Sequence, residues 1–421
     1  MKFRNVKGTR DFYPEPMRIR NWIADAWRRV SLRNGFEEYD APIFEYLDLL
    51  TAKSGQEIAE QLFSFTDRGG RQLAIRPEIT PSLARMVNAR INSLPRPIKW
   101  FSVPRLCRAE NPQRGRLREF FQWNIDVIGE DSGLADAECI FTCVDFLREV
   151  GLTPEDAQVR IGSRPLSVSA LWAAGVPQAD EEKALAALDK RPKLNEDAFA
   201  NVAKGAGLSG EQIAAVTRFQ DCATLDDISA ALPDAEPRDI EGLRQLWGQL
   251  EAMGVAEYCV LDLRIVRGLA YYTGIVYEVF GGAESRAVAG GGRYDNLLEV
   301  LGGPKVGATG FGMGDVVLEL VLDEKAKIPP ELRQGGLDYF VIDAEDGAFH
   351  AVMRTVGALR RAGRSADFSY ARRALGKQLK DANRRGAANA LLVRADGGLE
   401  VKDLRSGEQR PAALSDLLSS A

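Results

Sequence analysis

The fold of this chain is decided by residues 98–128, which read IKWFSVPRLCRAENPQRGRLREFFQWNIDVI. Residues 98–108 and 119–128 alternate apolar and polar side chains, and this period of two predicts two long strands. The residues between them are polar and include Pro112 and Gly115, which predicts a loop that reverses the chain. We therefore expect a strand pair that carries a long, arginine-rich loop.

Helices and further strands flank this pair within residues 1–175. Apolar side chains recur at helical spacing from Met17 to Asn34, and the following Gly35 predicts the end of that helix. Two short alternating segments at 62–67 and 72–76 predict a hairpin. Residues 256–325 return to strand patterns after a long helical stretch. We expect the two parts to form one mixed unit.

Two other segments differ in character. Residues 176–255 are alanine-rich, show helical spacing and hold 15 Asp or Glu against 8 Lys or Arg, which predicts an acidic helical insertion. Residues 326–336 read AKIPPELRQGG and predict a linker. From residue 337 onward, strand and helix patterns alternate, which predicts a small α/β domain with a largely parallel sheet.

Composition excludes several classes of protein. The 421 residues carry a formal net charge of −5, and no run of about 18 apolar residues predicts a membrane span. The first residues do not resemble a secretory signal. Five scattered cysteines suit a reducing compartment. The single histidine, His350, excludes multi-histidine zinc sites, and neither a P-loop nor a Rossmann glycine motif is present.

The loop between the two strands carries the strongest chemical signal. Five arginines fall within 15 residues, against one acidic residue, Glu110: Arg105, Arg108, Arg114, Arg116 and Arg118. A guanidinium binds phosphate through two hydrogen bonds and keeps its charge, so the loop suits an anionic ligand. A solvated hairpin tip remains the alternative interpretation of the same residues.

Residues 108–122, RAENPQRGRLREFFQ, resemble motif 2 of class II aminoacyl-tRNA synthetases in the form found in histidyl-tRNA synthetases. Further segments resemble that family in the same order along the chain: KGTRD at 7–11, Pro42 in a motif 1 position, RGLAYYTG at 267–274 and AGGGRYD at 289–295. Residues 368–380 and 401–409 are similar to the family's anticodon-binding domain.

The resemblance implies a fold and an organisation. The expected catalytic domain, residues 1–175 and 256–325, is α+β with a six- or seven-stranded antiparallel sheet. A helical insertion domain would span 176–255, a linker 326–336 and an anticodon-binding α/β domain 337–421. The family relation also implies a homodimer in the cytoplasm without membrane attachment.

The implied reaction is activation of L-histidine with ATP to histidyl-adenylate, followed by transfer of histidine to the 3′ end of its tRNA. The attacking carboxylate is already an anion, so cations that offset phosphate charge are needed rather than a general base. By resemblance, Arg108 and Arg267 are the catalytic cations, and Glu110 and Arg118 also bind ATP. Mg²⁺ would accompany the β- and γ-phosphates, with no metal held by the protein alone.

The resemblance also implies residues that contact histidine and tRNA. A carboxylate would bind the α-ammonium group, and partners at both ring nitrogens would reject isosteres. The expected histidine-binding residues are Glu78, Thr80, Gln122, Asp126, Arg267, Tyr271, Tyr272 and Tyr294. The expected tRNA-binding residues are Gln113 and Arg116 at the acceptor end and Arg372, Arg373, Lys377 and Lys380 in a basic C-terminal segment.

One motif departs from the family. Motif 3 ordinarily ends in Gly-x-Glu-Arg, and its arginine stacks on adenine, whereas Gly314 is followed here by Asp315, Val316 and Val317. Either another cation such as Arg286 or Arg293 substitutes for the arginine, or ATP binding is weaker, or the chain is an inactive relative. Three interpretations remain open: an active ligase, a tRNA-binding paralogue with an inactive site, and the regulatory subunit of histidine biosynthesis. The intact anticodon-like segment and histidine motifs disfavour the regulatory subunit.

Overall fold

A computed structural model describes residues 3–52, 62–233, 237–266, 272–283, 286–371 and 373–419. The chain divides into two compact units. The first comprises Met1–Asp11 and Arg20–Lys327, and the second comprises Phe12–Ile19 and Ile328–Ala421.

The first unit is built around a sheet that has nine strands among the described residues. Its strands and those of a smaller three-stranded sheet are β1 (Glu37–Glu38), β2 (Phe44–Tyr46), β3 (Phe63–Thr66), β4 (Gln72–Ile75), β5 (Ile98–Ser102), β6 (Arg105–Cys107), β7 (Glu119–Ile128), β8 (Ala157–Ser163), β9 (Cys259–Leu261), β10 (Ile275–Gly281), β11 (Ala289–Arg293) and β12 (Ala308–Gly314). The large sheet runs β1-β5-β7-β12-β11-β10-β8-β9, with β6 also paired to β7, and the small one runs β2-β4-β3.

The predicted antiparallel sheet is confirmed, but the predicted count of six or seven strands is too low. The two outer pairs, β1 with β5 and β8 with β9, are parallel, while the pairs between them are antiparallel. The single strand predicted over 98–108 is divided into β5 and β6 around Pro104. Proline has no backbone N–H to donate to a ladder, so the strand is interrupted there.

Helices cover the sheet and continue beyond it. In the first unit they are α1 (Pro14–Arg33, whose first turns belong to the second unit), α2 (Leu47–Thr51), α3 (Thr80–Arg90), α4 (Leu134–Glu149), α5 (Arg164–Ala173), α6 (Glu181–Leu188), α7 (Glu196–Gly205), α8 (Gly210–Gln220), α9 (Leu225–Ala231), α10 (Pro237–Ala252), α11 (Leu297–Val300) and α12 (Asp315–Glu324). Helices α6 to α10 fall within the predicted insertion. These helices belong to the same compact unit as the sheet, so the proposed insertion-domain boundary stays a prediction.

An aromatic cluster fixes the sheet to the helices beside it. The rings of Trp27 in α1 and Trp123 in β7 stack with their centroids 6.2 Å apart. The ring centroid of Phe146 in α4 lies 5.4 Å from that of Trp123. Ser31 completes the cluster because its Oγ accepts a 2.9 Å hydrogen bond from Trp123 Nε1 and donates to the Trp27 carbonyl. The cluster buries one face of β7 and leaves its other face for polar residues.

The second unit holds a five-stranded sheet in the order β14-β13-β15-β16-β17. Its elements are α13 (Pro330–Gln334), β13 (Leu337–Asp343), α14 (Phe349–Arg361), β14 (Ala366–Phe368), α15 (Leu375–Arg384), β15 (Ala387–Val393), β16 (Leu399–Asp403), β17 (Gln409–Ala412) and α16 (Leu414–Ser419). The predicted α/β alternation is confirmed, but the prediction of a largely parallel sheet is wrong for half of it. Strand β13 is parallel to β14 and β15, whereas the β15–β16 and β16–β17 pairs are antiparallel. Residues 409–412 pair with β16, and the last helix therefore begins only at Leu414.

The cysteines, the single histidine and the helix lengths can be compared with the expectations from composition. Five free cysteines are present, and burial raises the pKa of the Cys259 thiol to about 12. His350 lies exposed on α14, as expected for a surface residue. Within the described ranges, no helix combines the length and apolarity that crossing a bilayer requires.

The cluster around Ser31 gives the first prediction. Ser31→Ala removes the acceptor of the buried Trp123 N–H, so the free energy of unfolding should fall by about 1–3 kcal/mol. Urea unfolding followed by tryptophan fluorescence measures the change. Ser229→Ala is the matched control, because Ser229 makes the same bond to the carbonyl four residues earlier but on an exposed helix. Equal effects of the two substitutions would contradict the proposed importance of the buried bond.

Candidate active site

The polar face of β7 forms the floor of the candidate site. Alternation along the strand places Gln122, Asn124 and Asp126 on the face opposite Trp123 and the aromatic cluster. Their pairing partners in β12 are Gly314, Gly312 and Gly310, respectively. The sheet therefore presents three polar side chains beside a strand that has no side chains to cover them.

Two of these glycines are required by close approach. A Cβ placed on Gly310 would lie 2.5 Å from Asp126 Oδ1, and one placed on Gly312 would lie 2.7 Å from Gln122 Nε2. Both polar side chains therefore lie against the backbone of β12, in space that any larger residue would fill.

Tyrosines enclose the carboxylate of Asp126. The Tyr294 hydroxyl donates a short hydrogen bond to Asp126 Oδ1. Tyr272 packs against β11, the strand next to β12. Its Cδ1 would lie 2.9 Å from a Cβ placed on Gly292. Burial, reinforced by the nearby Asp126 charge, raises the pKa of the Tyr294 and Tyr39 phenols well above the ordinary value. Tyr294 is therefore a neutral donor that fixes Asp126 as an acceptor.

The arginine-rich loop continues the β6–β7 pair as an ordered turn. Arg108 N donates to the Arg118 carbonyl at 2.8 Å, and Gln113 and Arg116 exchange two backbone hydrogen bonds of 2.9 Å. The N-terminal KGTRD segment docks on this loop, because Arg118 N donates to the Gly8 carbonyl at 2.8 Å. Two motifs separated by about a hundred residues in sequence thus meet at one place.

Arg108 lies beside the segment that carries Glu78 and Thr80. Its Nε donates to the Pro77 carbonyl at 3.1 Å, and its guanidinium lies 5.1 Å from the centroid of the Phe120 ring. The segment is fixed by Arg76, which is buried and donates to Asp40 Oδ1 at 2.7 Å. Thr80 begins α3, so Glu78 and Thr80 lie at the start of this helix, next to the predicted phosphate-binding arginine.

Glu110 and Arg116 were predicted to contact different ligands, and the structure pairs them with each other. Arg116 forms an ion pair with the Glu110 carboxylate, and Arg118 Nε donates to the Glu110 carbonyl at 2.9 Å. The roles predicted for these three residues stay predictions.

The start of the motif 3 helix holds an ion pair that was not predicted, between the buried Asp315 and the partly exposed Arg10. Asp315 accepts a 3.0 Å hydrogen bond from Phe121 N and a 2.5 Å hydrogen bond from Arg10 Nη2. Burial raises the pKa of the Asp315 carboxyl, while the Arg10 guanidinium opposes that shift. No local signal identified this pair, because the helix dipole already favours an acidic residue at the start of a helix, and Arg10 lies 305 residues away along the chain.

Arg293 is not available to replace the missing arginine, so that prediction is wrong. It is buried, and its Nη2 donates to Asp136 Oδ2 at 2.7 Å and to the Ser132 carbonyl at 2.8 Å. Burial raises the pKa of the Asp136 carboxyl, and the Arg293 charge opposes the shift. Arg293 is therefore a structural residue that anchors the end of β11 to α4.

Three of the predicted tRNA-binding side chains are exposed in the C-terminal unit, on α15 or just before it. Arg373, Lys377 and Lys380 are all exposed at or near α15. Beside them is Tyr370, which is 79% exposed and whose ring lies 4.9 Å from that of Phe368. No role was predicted for Tyr370, although an aromatic residue that precedes a run of basic ones is a signal for nucleic-acid binding.

Some predicted residues cannot be placed. Arg267, Tyr271 and Arg372 lie outside the described residues. Thr273, which follows Tyr271 and Tyr272 in the chain, is held by two hydrogen bonds. Its N donates to the Arg293 carbonyl at 2.8 Å, and its Oγ1 donates to Asp295 Oδ2 at 2.9 Å.

Comparison with known proteins agrees with this geometry. A family model described as histidyl-tRNA synthetase matches residues 8–315. A histidine–tRNA ligase of Opitutus terrae is 40% identical over 400 residues, which are 94% of this chain and 91% of the relative. A histidine–tRNA ligase of Pyrococcus horikoshii is 38% identical, over 98% of this chain and 97% of the relative.

Solved structures show the same similarity. Histidyl-tRNA synthetase from Nostoc sp. PCC 7120 superposes with a TM-score of 0.85 at 25% identity, covering 99% of this chain and 98% of the other. A Bacillus halodurans structure described as an ATP phosphoribosyltransferase regulatory subunit/histidyl-tRNA synthetase has a TM-score of 0.78 at 21% identity and shares the fold. The sequence motifs, the arrangement of strands around them and these similarities lead to one conclusion: the chain belongs to the histidyl-tRNA synthetase family.

Proposed function

We propose that this protein activates L-histidine with ATP and transfers it to the 3′ end of histidine tRNA. The observation that carries the proposal is the hydrogen-bonded pair of Asp126 and Tyr294 on the polar floor of the sheet. A buried carboxylate held by a neutral phenol is a fixed acceptor for an N–H group, which the imidazole ring of histidine supplies. Relatives similar over nearly the whole chain are histidine–tRNA ligases, which supports the same proposal.

The remaining histidine contacts follow from the walls of the site. Glu78 supplies a carboxylate for the α-ammonium group, and Thr80 and Gln122 add hydrogen-bonding groups beside it. Tyr272 covers the ring, and Tyr271 and Arg267 complete the set by family resemblance. A site whose polar groups need an imidazole partner rejects apolar isosteres, because buried donors and acceptors would stay unpaired.

Activation needs no general base. A carboxylate oxygen of histidine forms a bond to the α-phosphorus of ATP, the bond from that phosphorus to the bridging oxygen breaks, and diphosphate leaves with the electron pair. Arg108 offsets the charge that develops on the α-phosphate, and Arg267 supplies a second cation. Glu110 and Arg118 contact the nucleotide from the loop.

Magnesium is expected to enter with the nucleotide. Among the described side chains, no group of three His, Cys, Asp or Glu residues could hold a metal ion. Mg²⁺ commonly uses one or two carboxylates together with substrate phosphates and water. By family resemblance, Mg²⁺ would accompany the β- and γ-phosphates of ATP and offset their charge.

Two surfaces support the tRNA part of the proposal. Gln113 and Arg116 lie on the loop above the site, where they would contact the acceptor end. The exposed Arg373, Lys377 and Lys380, with Arg372 by resemblance, supply cations for the backbone of the anticodon loop. The exposed ring of Tyr370 supplies a surface on which an unpaired base can stack.

We also propose a homodimer in the cytoplasm. The small sheet exposes apolar side chains after the motif 1 proline, and Phe44 and Phe65 contact each other edge to face at 6.3 Å. Exposed neighbouring apolar residues of this kind favour a protein interface. Five free cysteines suit a reducing compartment such as the cytoplasm. The regulatory-subunit interpretation is not favoured, because the relatives that match over the whole chain are ligases.

The acceptor role of Asp126 gives a prediction for substrate binding. Asp126→Asn should raise the KM for histidine about 10–100-fold, because a hydrogen bond to a charged group contributes about 1.5–3 kcal/mol. Histidine-dependent exchange of diphosphate into ATP measures the change, and the KM for ATP should stay within twofold. Glu149→Gln, on the surface ion pair with Arg33, is the control. An unchanged KM for histidine in the Asp126 variant would contradict the proposed pocket.

The stacking role of Tyr370 gives a prediction for tRNA. Tyr370→Ala should raise the KM for tRNA about tenfold, because stacking of a base on an aromatic ring contributes about 1–3 kcal/mol. Aminoacylation measures this effect, while diphosphate exchange, which needs no tRNA, should not change. Tyr13→Ala removes another exposed tyrosine and serves as the control. If the Tyr370 variant charges tRNA normally, the stacking role is wrong.

The exposed apolar face of the small sheet gives a prediction for assembly. Phe44→Asp should shift sedimentation from a dimer toward a monomer, because the interface would bury an unpaired carboxylate. Leu134→Asp, at another exposed apolar position in the same unit, should leave the dimer intact. A monomeric wild-type protein would contradict the assembly, and a Phe44 variant that stays dimeric would contradict this interface.

A further inference from the structure

The turn at the tip of the arginine-rich loop contacts two distant side chains of the first unit. Gly115 has a φ of +74°, which favours glycine. A Cβ placed on it would lie 3.3 Å from Arg286 Cδ and 3.3 Å from Val317 Cγ2. Arg286 and Val317 therefore both pack against the backbone of this turn.

Backbone hydrogen bonds fix this arrangement. Two residues after Arg286, the Val288 carbonyl accepts a 3.1 Å hydrogen bond from Gly314 N, and Val288 N donates to the Val279 carbonyl at 2.7 Å. Gly314 ends β12 and immediately precedes α12, which contains Val317. The segment that carries Arg286 is thus joined to the motif 3 segment, so the two side chains approach the turn from one side of the sheet.

Arg286 differs from several other arginines of the first unit in that its charge is not paired within the described residues. Arg10 is paired with Asp315, Arg116 with Glu110 and Arg293 with Asp136. Arg286 is half-buried, and it makes no hydrogen bond or ion pair with the residues that the structure describes. A half-buried guanidinium in this position can stack on a planar ring or bind an anionic group.

We propose that the guanidinium of Arg286 lies against the adenine ring of ATP and takes the place of the arginine that Val317 replaces in motif 3. The proposal rests on the proposed function, since it requires that ATP binds beside the loop. The cation then comes from the segment before β11 instead of from α12. Val317 remains as an apolar contact beside it. Arg286 then contributes to recognition of the base rather than to phosphate chemistry.

The test separates the base from the phosphates. Arg286→Ala should raise both the KM for ATP and the dissociation constant of adenosine about tenfold, which corresponds to about 1.4 kcal/mol. A loss of this size is within the range for a cation on an aromatic face. Diphosphate exchange measures the first quantity and calorimetry the second. The KM for histidine should stay within twofold, and Arg218→Ala, an exposed arginine on α8, should change neither constant.

Two results would overturn the proposal. The first is an unchanged affinity of Arg286→Ala for adenosine. If ATP binding weakens while adenosine binding does not, the residue contacts phosphate instead of the base, and the proposal is also wrong. The second is failure of Arg286→Ala/Val317→Arg to bind adenosine more tightly than Arg286→Ala, since the double variant restores an arginine at the motif 3 position. If the wild-type protein shows no histidine-dependent exchange, the proposed function fails, and adenosine calorimetry still decides the role of Arg286.

Discussion

The site depends on the alternation of side chains along β7. One face of the strand carries Trp123, which packs into an aromatic cluster with α1 and α4, and the other carries Gln122, Asn124 and Asp126. A shift of one residue in the pairing of β7 would exchange the two faces. It would bury the polar groups among aromatic rings and expose Trp123. The cluster that stabilises the fold therefore also determines which side chains face the substrate.

The neighbouring strands complete the site because they have no side chains in the space it needs. Gly310 and Gly312 let Asp126 and Gln122 lie against β12, and Tyr294 then holds the carboxylate in place. The pair of Arg10 and the buried Asp315 joins the N-terminal motif to the start of α12, directly before Val316 and Val317, where the family pattern has changed.

The sequence was sufficient for features that depend on local pattern. The period of β7, the arginine-rich loop and the α/β alternation of the C-terminal unit were all predicted. Features that depend on contacts distant in sequence were not. Arg293 was a candidate for the nucleotide, but it pairs with Asp136, 157 residues away, and no local signal identifies that partner. Residues 409–412 have weak strand propensity, and they form β17 because the edge of β16 offers unpaired backbone groups.

We propose that this site activates histidine despite the altered motif 3. The decisive experiment is diphosphate exchange into ATP, measured with purified protein and each of the twenty amino acids in turn. We expect exchange with histidine alone, because Asp126 and Tyr294 together require an imidazole N–H. Exchange with another amino acid would contradict the proposed pocket. No exchange with any amino acid, from folded protein that still binds histidine by calorimetry, would contradict the proposed activity.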